Sequence, residues 1–570
     1  MSIKDLLMKP ADLPYDYQQW KKLPFAEQAK KVCQAWAIQG FGSPIFAVIF
    51  YLLKIALYAW IWIVFCSYST DLGSFANIDA WWFKLEALGK ALLWTILLEV
   101  FGLGGASGPL TGRYMPIFGA SLYYLRPGTI KSPLFPKVPI LGNDQRNILD
   151  VLLYAALLYF LVVGCLATKI TPGVVAPVLI LLLVLGVIDK QIYLAARGDV
   201  WFPALFVFLF PSEAGGALRL LWFGVWFWAA FSKLTPNFTS VIGVMISNSP
   251  VLKFKWLKKL LFKDYPEDLR LSKSAIYVSH FGTLVEFSLP IILLLGTLLG
   301  WNQQIMFWAL VGMTAFHTFI FVNFPMGVPM EWNVIMVLGA WSLFGVPQPF
   351  VISEVTSIPL IILLVVSIVI LPIMGNLFPK YVSFLLSMRY YAGTWPFSIW
   401  LFKGDGKSQK LDPNVTKTSP DGIKQLQYFY EKDQSEGILS RIIAWRLMHL
   451  PSRVLQDILP KAVDDLGEYR WIDGEILGGE VLGWNFGDAH LHQETLLNSL
   501  QKRCNFASGE LRVIMVESPQ MHNGRIYWRI HDAHDGLLEN GYAYLKQIKH
   551  RMPWPIWDNT PPKDPPTTTL

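Results

Sequence analysis

Five ionisable side chains interrupt stretches of the sequence that are apolar enough to lie in a membrane. They are Lys54, Glu99, Lys233, Glu286 and His317. A charged side chain in hydrocarbon costs about 2.5–3.5 kcal/mol on insertion scales, so such groups face the bundle interior or water. Both signs of charge and a histidine in one set favour a polar cavity that holds a substrate or a proton path. The alternative is that these residues pair with one another and only fix the bundle.

Lys233 is the most informative of them, because in FWAAFSKLTPNF at residues 227–238 it follows an aromatic, apolar run and precedes a proline. A lysine kept from water beside apolar walls can act as a base or a nucleophile. A lysine at a helix end can instead snorkel, with its stem along the acyl chains and its ammonium among the headgroups. The sequence alone favours snorkelling. If the set is functional, the predicted catalytic residues are Lys233, His317 and Glu286. The residues predicted to line the substrate pocket are Glu99, Lys54 and Asn323.

Histidines and aspartates also cluster near the C-terminus, in GDAHLH at 487–492 and in HDAHD at 531–535. His and Asp side chains at a strand end or in a turn can bind a metal ion. The same residues fit a hairpin turn and a helix start capped by Asp488. The sequence therefore predicts no metal site, and the candidate ligands that it leaves are His490, His492, His531 and His534.

The elements that carry the buried charges must be membrane helices. Of the 570 residues, 53% are hydrophobic and only 16% are charged, and the mean hydropathy is +0.40. About 20 apolar residues in a helix cross a bilayer's hydrocarbon layer of about 30 Å. We predict an all-α polytopic membrane bundle of about nine to ten segments, the fifth being a half-helix or part of its neighbour. The segments are 44–66, 83–104, 148–167, 173–188, 201–211, 216–232, 275–300, 304–322, 332–346 and 350–374.

The basic residues of the predicted loops indicate how the bundle is oriented. The connections 105–147 and 233–274 are rich in lysine and arginine, whereas those on the opposite side hold one basic residue, Lys169. Basic loops stay in the cytoplasm. We therefore expect a multi-pass protein of the cell inner membrane with both termini in the cytoplasm. Because the loops account for the net charge of +7, no nucleic-acid partner is expected.

The composition divides the chain into four parts. An amphipathic stretch at 20–40 fits a helix in the membrane interface and fits equally a helix packed on the cytoplasmic domain. The predicted parts are an N-terminal cytoplasmic or interfacial segment at 1–43, the bundle at 44–380, a soluble α+β domain at 400–555 and a disordered tail at 556–570.

Within the predicted soluble domain, alternating apolar residues indicate strands at 510–518 and 525–532. The stretch at 490–504 is typical of a helix. DAHDG at 532–536 is typical of a turn that joins the second strand to a further extended piece. The fold class expected for the whole chain is thus a membrane bundle with a C-terminal α+β domain.

Three stretches of the bundle carry a family resemblance. They are FWAAFSKLTPNF, TLVEFSLP around Glu286, and AFHTFIFVNFPMGVPMEWNVIMVLGAWSLF at 315–344. Over 222–344 they resemble the vitamin K-dependent γ-carboxylase-like membrane domain, also called the horizontally transferred transmembrane (HTTM) domain. The Lys-Leu-Thr of the first stretch is also similar to the lipase maturation factors. Over its full length, the chain resembles a bacterial family of transmembrane proteins with no assigned function.

The resemblance implies a role for Lys233 as the base that deprotonates a reduced quinone, with His317 and Glu286 as its neighbours. Two features depart from the carboxylase pattern. The region 187–201 lacks the histidine that the carboxylase carries upstream of its lysine. The predicted topology also places Lys233 on the cytoplasmic side, whereas carboxylase chemistry faces the lumen. Glutamate carboxylation is therefore not expected, and the resemblance implies a shared scaffold with a lysine-bearing pocket.

These observations leave two functions from different classes. The first is a membrane enzyme that acts on a lipid-like or quinone-like substrate in an intramembrane polar pocket. The second is a non-enzymatic maturation or assembly factor for client proteins. A transporter is favoured less, because no pair of inverted repeats is visible. The expected partners are membrane lipids together with such a substrate or client, and the sequence identifies no cofactor.

Overall fold

The computed structural model describes residues 3–105, 115–139, 141–323, 330–345, 352–485, 494–556 and 567–569. This part of the chain is mostly helical and carries an antiparallel sheet near its C-terminal end. The predicted combination of a helical membrane protein with a C-terminal α+β domain is confirmed at this level.

The main helices follow one another along the first two thirds of the chain. They are α1 (Phe25–Gln39), α2 (Ile45–Ser67), α3 (Leu85–Val100), α4 (Ile148–Leu166), α5 (Pro172–Ile188), α6 (Trp201–Phe206), α7 (Ala214–Ser232), α8 (Pro236–Asn248), α9 (Lys273–Leu299), α10 (Gln303–Asn323), α11 (Met330–Phe344) and α12 (Ile358–Leu377). Shorter helices lie at Ile3–Met8, Tyr17–Trp20, Gly119–Tyr124, Lys190–Ala195 and Lys255–Leu261. A two-stranded hairpin of Phe262–Asp264 and Asp268–Leu271 precedes α9.

Six helices in the described residues are long and apolar enough to cross a membrane, namely α2, α4, α7, α9, α10 and α12. The other four predicted segments form the shorter helices α3, α5, α6 and α11. The fifth predicted segment, at 201–211, becomes the six-residue helix α6 followed by a 3₁₀ turn, and nearly all of its side chains are buried. Helix α3 is buried from Ala87 to Val100. Its Lys90 donates to the backbone oxygen of Cys165 at the end of α4, at 2.9 Å.

Helix α1 settles the two alternatives left open for the amphipathic stretch at 20–40. Its apolar face is buried against α8 and against a helix of the C-terminal domain, α13 (Ile442–Leu447). The indole N–H of Trp36 donates to the backbone oxygen of Val244 at 3.1 Å. The stretch is therefore a helix packed on protein, because the face that a bilayer would take is already covered.

The C-terminal domain is built on five antiparallel strands of the described chain in the order β2-β1-β3-β4-β5. They are β1 (Phe397–Lys403), β2 (Tyr469–Asp473), β3 (Leu511–Glu517), β4 (Arg525–Asp532) and β5 (Gly536–Tyr544). Around them lie Asp412–Asn414, Gly422–Leu426, Lys432–Ser440, α13, α14 (Leu455–Ala462), α15 (Gly474–Leu482), α16 (Thr495–Cys504) and Leu545–Ile548.

Strand β1 shows why its sequence is apolar without alternation. Successive side chains of a strand point to opposite faces of a sheet. Ile399 and Leu401 join a core with α13 and α14, whereas Trp400 and Phe402 join a second core with α15 and α16. Both faces are covered, so neither can be polar.

The strands predicted at 510–518 and 525–532 are confirmed as β3 and β4, and the turn predicted at 532–536 joins β4 to β5. The helix predicted at 490–504 is seen as α16, and its first residues lie outside the described part of the chain. Most of the tail at 556–570 also lies outside it, while Thr567–Thr569 pair with the edge of β5.

The connection between β3 and β4 binds the sheet to the bundle. Ser518 accepts a hydrogen bond from the Asn237 side chain at 3.1 Å. The Gln520 side chain donates to the backbone oxygen of Phe231 at 2.6 Å. His522 Nε2 lies 2.9 Å from the backbone oxygen of Leu377. The sheet is thereby attached to the ends of α7 and α12 and to the start of α8.

His449 lets the stability of the C-terminal domain be tested against pH. It is buried, its Nδ1 lies 2.7 Å from the backbone oxygen of Trp445, and burial lowers its pKa from 6.5 to about 3. Between these two pKa values His449 is protonated in the unfolded chain and neutral in the folded chain. The free energy of unfolding therefore falls as the pH drops below 6.5, the pKa of His449 in the unfolded chain. We expect this loss to reach about 1.4 kcal/mol at about pH 5.5.

The measurement compares unfolding midpoints at about pH 7.5 and about pH 5.5 for the wild type and for His449→Gln. Glutamine cannot be protonated, so the variant should lose less stability on acidification than the wild type does. An equal loss in both proteins would assign the acid sensitivity to other groups.

Candidate functional site

The corner between α7 and α8 places Lys233 where a membrane helix ends. Helix α7 stops at Ser232, and Pro236 starts α8, because proline lacks the N–H needed further inside a helix and suits its first turn. The Thr235 side chain caps α8 by accepting from the N–H of Asn237 at 3.3 Å. Lys233 thus stands at the C-terminal end of α7, where the helix dipole favours a cation.

The ammonium of Lys233 is paired inside the protein. Its Nζ lies 2.6 Å from Oε1 and 2.7 Å from Oε2 of Glu286, which projects from the middle of α9. Lys233 is 7% exposed and Glu286 is 4% exposed. The Nζ also lies 5.9 Å from the centre of the Phe238 ring. The snorkelling position that the sequence favoured is therefore wrong, because the side chain turns inward to a carboxylate rather than outward to headgroups.

This ion pair lines a cavity of about 110 Å³ enclosed by α7, α8, α9 and α10. Four residues singled out from the sequence meet there: Lys233, Glu286, His317 and Asn323. The cavity is somewhat smaller than one of roughly 150 Å³ that accepts benzene in an engineered protein. It therefore holds a few waters or part of a ring, and an attached chain would have to extend beyond it.

The cavity wall has a gap on the outer side of α9 and α10. No atom of the described residues lies within 4 Å of the position that a side-chain carbon on Gly282 would take. Val278 and Phe319, which also line the cavity, are exposed on the two helices. A chain attached to a group in the cavity would meet the surface of the bundle at this gap.

Both ring nitrogens of His317 are engaged. Nε2 lies 3.2 Å from the indole nitrogen of Trp226, and Nδ1 lies 2.8 Å from the side-chain oxygen of Asn333. An indole N–H only donates and an amide oxygen only accepts. Nδ1 therefore carries the proton, and the lone pair of Nε2 is taken. In this arrangement His317 is a neutral, oriented group beside the ion pair, and its catalytic role stays a prediction.

Lys54 and Glu99, predicted to line the same pocket, lie in a second polar cluster. Lys54 Nζ is 2.8 Å from Oε1 of Glu331. The other oxygen of Glu331 accepts from the backbone N–H of Gly105 at 3.1 Å. Glu99 is buried at the end of α3. Neither Lys54 nor Glu99 is among the residues that line the cavity of Lys233, so the structure does not bring all six predicted residues together.

A family model described as "Transmembrane protein of unknown function (DUF3556)" matches residues 7–564. The chain belongs to this family. No curated protein and no solved structure matches it. Membership of the DUF3556 family establishes a transmembrane protein and assigns it no activity. The resemblance of 222–344 to carboxylase-like domains and to lipase maturation factors therefore stays a prediction.

In the described residues of this DUF3556 protein, no group of three or more His, Cys, Asp or Glu side chains could hold a metal ion. His531 Nε2 lies 3.1 Å from Glu494. His534 is exposed, and its hydrogen bond with Asp535 raises its pKa. The other two candidates, His490 and His492, lie outside the described part of the chain.

Sequence reasoning missed several polar or aromatic residues at the cavity of this DUF3556 protein, among them Arg197, Trp226, Asn333 and Tyr390. Two of them carried a signal. Trp226 precedes Lys233 by seven residues, which is two helical turns and hence the same helix face. Asn333 is a polar residue inside the apolar helix α11. Arg197 and Tyr390 lie in connections, where nothing in the sequence indicates which side chains point inward.

Proposed function

We propose that this protein is a multi-pass membrane enzyme that performs acid–base chemistry on a lipid-like or quinone-like molecule. The observation that carries the proposal is the Lys233–Glu286 ion pair at the wall of a mainly apolar cavity inside the helical bundle. Buried ionisable groups in a membrane bundle commonly mark substrate or proton pathways. The proposal keeps the scaffold implied by the carboxylase-like resemblance and excludes its glutamate chemistry.

The geometry supports a proton-transfer role for Lys233. If one ammonium proton passes to Glu286, the products are a neutral amine and a neutral carboxylic acid. The amine can then take a proton from a substrate hydroxyl, which leaves an oxyanion beside the new ammonium. Trp226 and Asn333 hold His317 at the same wall. In this scheme His317 orients the substrate, and Lys233 and Glu286 move the proton.

The gap beside Gly282 supports a substrate that comes from the bilayer. A cavity of about 110 Å³ takes only the reacting end of such a molecule. A prenyl or acyl chain would leave through the gap and lie against α9 and α10. Lys54 and Glu99, which lie elsewhere, would then act outside the substrate pocket.

We further propose the cell inner membrane as the location, with both termini in the cytoplasm. The division into 1–43, 44–380, 400–555 and 556–570 belongs to the same proposal. The two basic connections that the positive-inside rule assigns to the cytoplasm contact the C-terminal domain or α1, and so does Gln191 between α5 and α6. Tyr124 and Gln191 donate to the backbone oxygen of Leu482, and Gln34 of α1 donates to Glu267. These contacts support one common side for the loops and termini.

The test begins with the molecules that the protein retains on purification. The full chain is purified in detergent, extracted with organic solvent and analysed for prenyl quinones and lipids by mass spectrometry. The conversion of any retained molecule is then followed with wild type, Lys233→Arg and Lys169→Arg. Lys169 is an exposed control lysine.

General acid–base catalysis contributes about 10²- to 10⁴-fold to a rate. We therefore expect Lys233→Arg to keep the thermal midpoint and to slow conversion by at least about 100-fold, while Lys169→Arg converts at the wild-type rate. If arginine supports full conversion, or if no such molecule is retained, the enzyme proposal fails.

One observation favours the second function, a maturation or assembly factor for client proteins. Both charges of the site are already paired and the cavity is small, as expected of an ion pair that only fixes the bundle. In that case Lys233→Arg preserves function, because arginine can also pair with Glu286. The same variant thus separates the two functions.

A further inference from the structure

A second and larger cavity lies where the sheet meets the bundle. It encloses about 910 Å³, within the range of about 300–1,000 Å³ that is usual for ligand pockets. Its walls come from the end of α5, the helix Lys190–Ala195, the segment at 377–386 and strands β3, β4 and β5 of the sheet. Lys233, Glu286 and His317 are not among its lining residues, so this cavity is distinct from the proposed site of acid–base chemistry.

The bundle side of this cavity is apolar and reaches the outer surface. Leu183 of α5 and Phe378, just after α12, both line it and are exposed. Leu134 and Phe135 are exposed lining residues as well. Because α5 and α12 are the apolar helices beside it, this wall continues the surface that faces lipid. An alkyl chain would find the same environment there as in the membrane.

The sheet side of the cavity is polar. In the register of the sheet, Met515 of β3 lies opposite Arg529 of β4, which lies opposite Asn540 of β5. Residues directly opposite one another share a face. Two strand residues further along that face lies Glu517, whose carboxylate already binds Arg389 at 3.0 Å. The one acid that lines the cavity in the described residues is therefore neutralised by an arginine outside the lining.

The cations of this lining exceed its acids. Among the described residues, the lining contains three cations, Lys190, Lys380 and Arg529, and one carboxylate, that of Glu517. Arg529 is held by Glu494 at 2.9 Å. Lys190 has no ion-pair partner in the described part of the chain, and the neighbouring Asp189 is already bound to Arg146 at 2.5 Å. Burial lowers the pKa of Lys190, so an anion beside it would be favoured because it keeps the ammonium charged.

We propose that this cavity binds an anionic amphiphile, with a phosphate or carboxylate headgroup at Lys190 and the sheet and an alkyl chain along Leu183 and Phe378. The headgroup meets Lys190, a lining cation that forms no ion pair in the described chain. The chain meets the wall that continues the lipid-facing surface. A membrane lipid and a free acyl compound share this chemistry, and the site is placed to take either from the edge of the bilayer.

The test uses dodecyl phosphate with a photoreactive diazirine at the end of its chain. The full-length protein is reconstituted in phosphatidylcholine nanodiscs, irradiated with the probe and digested, and the labelled peptides are mapped by mass spectrometry. We expect labels in 183–194 and 377–386. Unlabelled dodecyl phosphate and dodecanoate should compete, whereas dodecanol and inorganic phosphate should not. Competition by inorganic phosphate alone would identify a soluble anion as the ligand and overturn the role of the chain.

Charge at Lys190 is tested with matched variants. Lys190→Gln removes a charge-assisted hydrogen bond to the headgroup, so it should cut labelling at these segments about tenfold or more. Lys190→Arg should restore it. Lys137→Gln removes an exposed lysine of the 105–147 connection that does not line the cavity, and it should leave labelling unchanged.

A variant of the apolar wall keeps the proposal testable if the Lys190 variants fail to fold. Leu183→Trp narrows the chain side at an exposed position and should reduce labelling without altering the thermal midpoint. Equal labelling of all lipid-facing helices in every variant, or full competition by dodecanol, would show partition into the bilayer and refute the site. Because Lys233→Arg is expected to leave this labelling intact, failure here is separate from failure of the enzyme proposal.

Discussion

Lys233→Ala is expected to lower the free energy of unfolding by about 3–5 kcal/mol. The substitution leaves the carboxylate of Glu286 in a buried site that is 4% exposed, without the ammonium that now lies 2.6 Å away. A charge stranded in this way is much more costly than the pair that it came from, because the counter-ion that offset the cost of burying it is gone. The measurement is unfolding of the purified protein by sodium dodecyl sulfate in mixed micelles, followed by circular dichroism.

The matched control is the double variant Lys233→Met with Glu286→Leu. It removes both charges and keeps similar volumes, so its stability should lie within about 1 kcal/mol of the wild type or above it. Such a result would show that the pair is kept for a purpose other than stability. If Lys233→Ala alone is as stable as the wild type, the pairing is wrong and the ammonium lies among the headgroups after all.

Asp473→Ala is the second substitution with a large expected effect, again about 3–5 kcal/mol. Its carboxylate binds Arg446 through two hydrogen bonds of 2.7 and 3.0 Å, and both side chains are almost fully buried. The same carboxylate caps α15 by accepting from the N–H of Glu475 at 3.0 Å. Alanine therefore removes the two oxygens that bind the buried guanidinium and leaves an N-terminal N–H without its acceptor. Thermal unfolding monitored by tryptophan fluorescence measures the loss.

Asp473→Asn separates the two contributions. Asparagine is as good an N-cap as aspartate but carries no charge, so it should recover about 1 kcal/mol of the loss and no more. Glu475, whose carboxylate lies 3.5 Å from Arg446, offers the guanidinium partial compensation in both variants. Full recovery with asparagine would mean that the cap, and not the ion pair, stabilises this part of the domain.

The sequence predicted those parts of the fold that depend on local pattern. The apolar blocks became α2, α4, α7, α9, α10 and α12 with small shifts at their ends. The pattern of ELRVIMVES predicted β3, because successive side chains of a strand point to opposite faces of the sheet and apolar ones must be buried there. The short segment at 201–211 was correctly suspected, since a helix of that length cannot span a bilayer and must be buried by its neighbours.

The pairing of charges could not be predicted in the same way. Glu286 lies 53 residues beyond Lys233, and nothing local separates an inward lysine from a snorkelling one. Glu331, the partner of Lys54, was overlooked because the predicted segment began at residue 332, one position too late to count it as a membrane residue. This error at the start of α11, which begins at Met330, leaves Lys54 without Glu331 and assigns it to the cavity of Lys233.

The attachment of the β3–β4 connection to the bundle has a mechanical consequence. Ser518 and Gln520 are hydrogen-bonded to Asn237 and Phe231, which lie four residues after and two residues before Lys233. The sheet therefore cannot tilt against the bundle without displacing the corner that holds the ammonium. A load applied to the sheet is therefore transmitted through these two hydrogen bonds to the corner that carries the Lys233 ammonium.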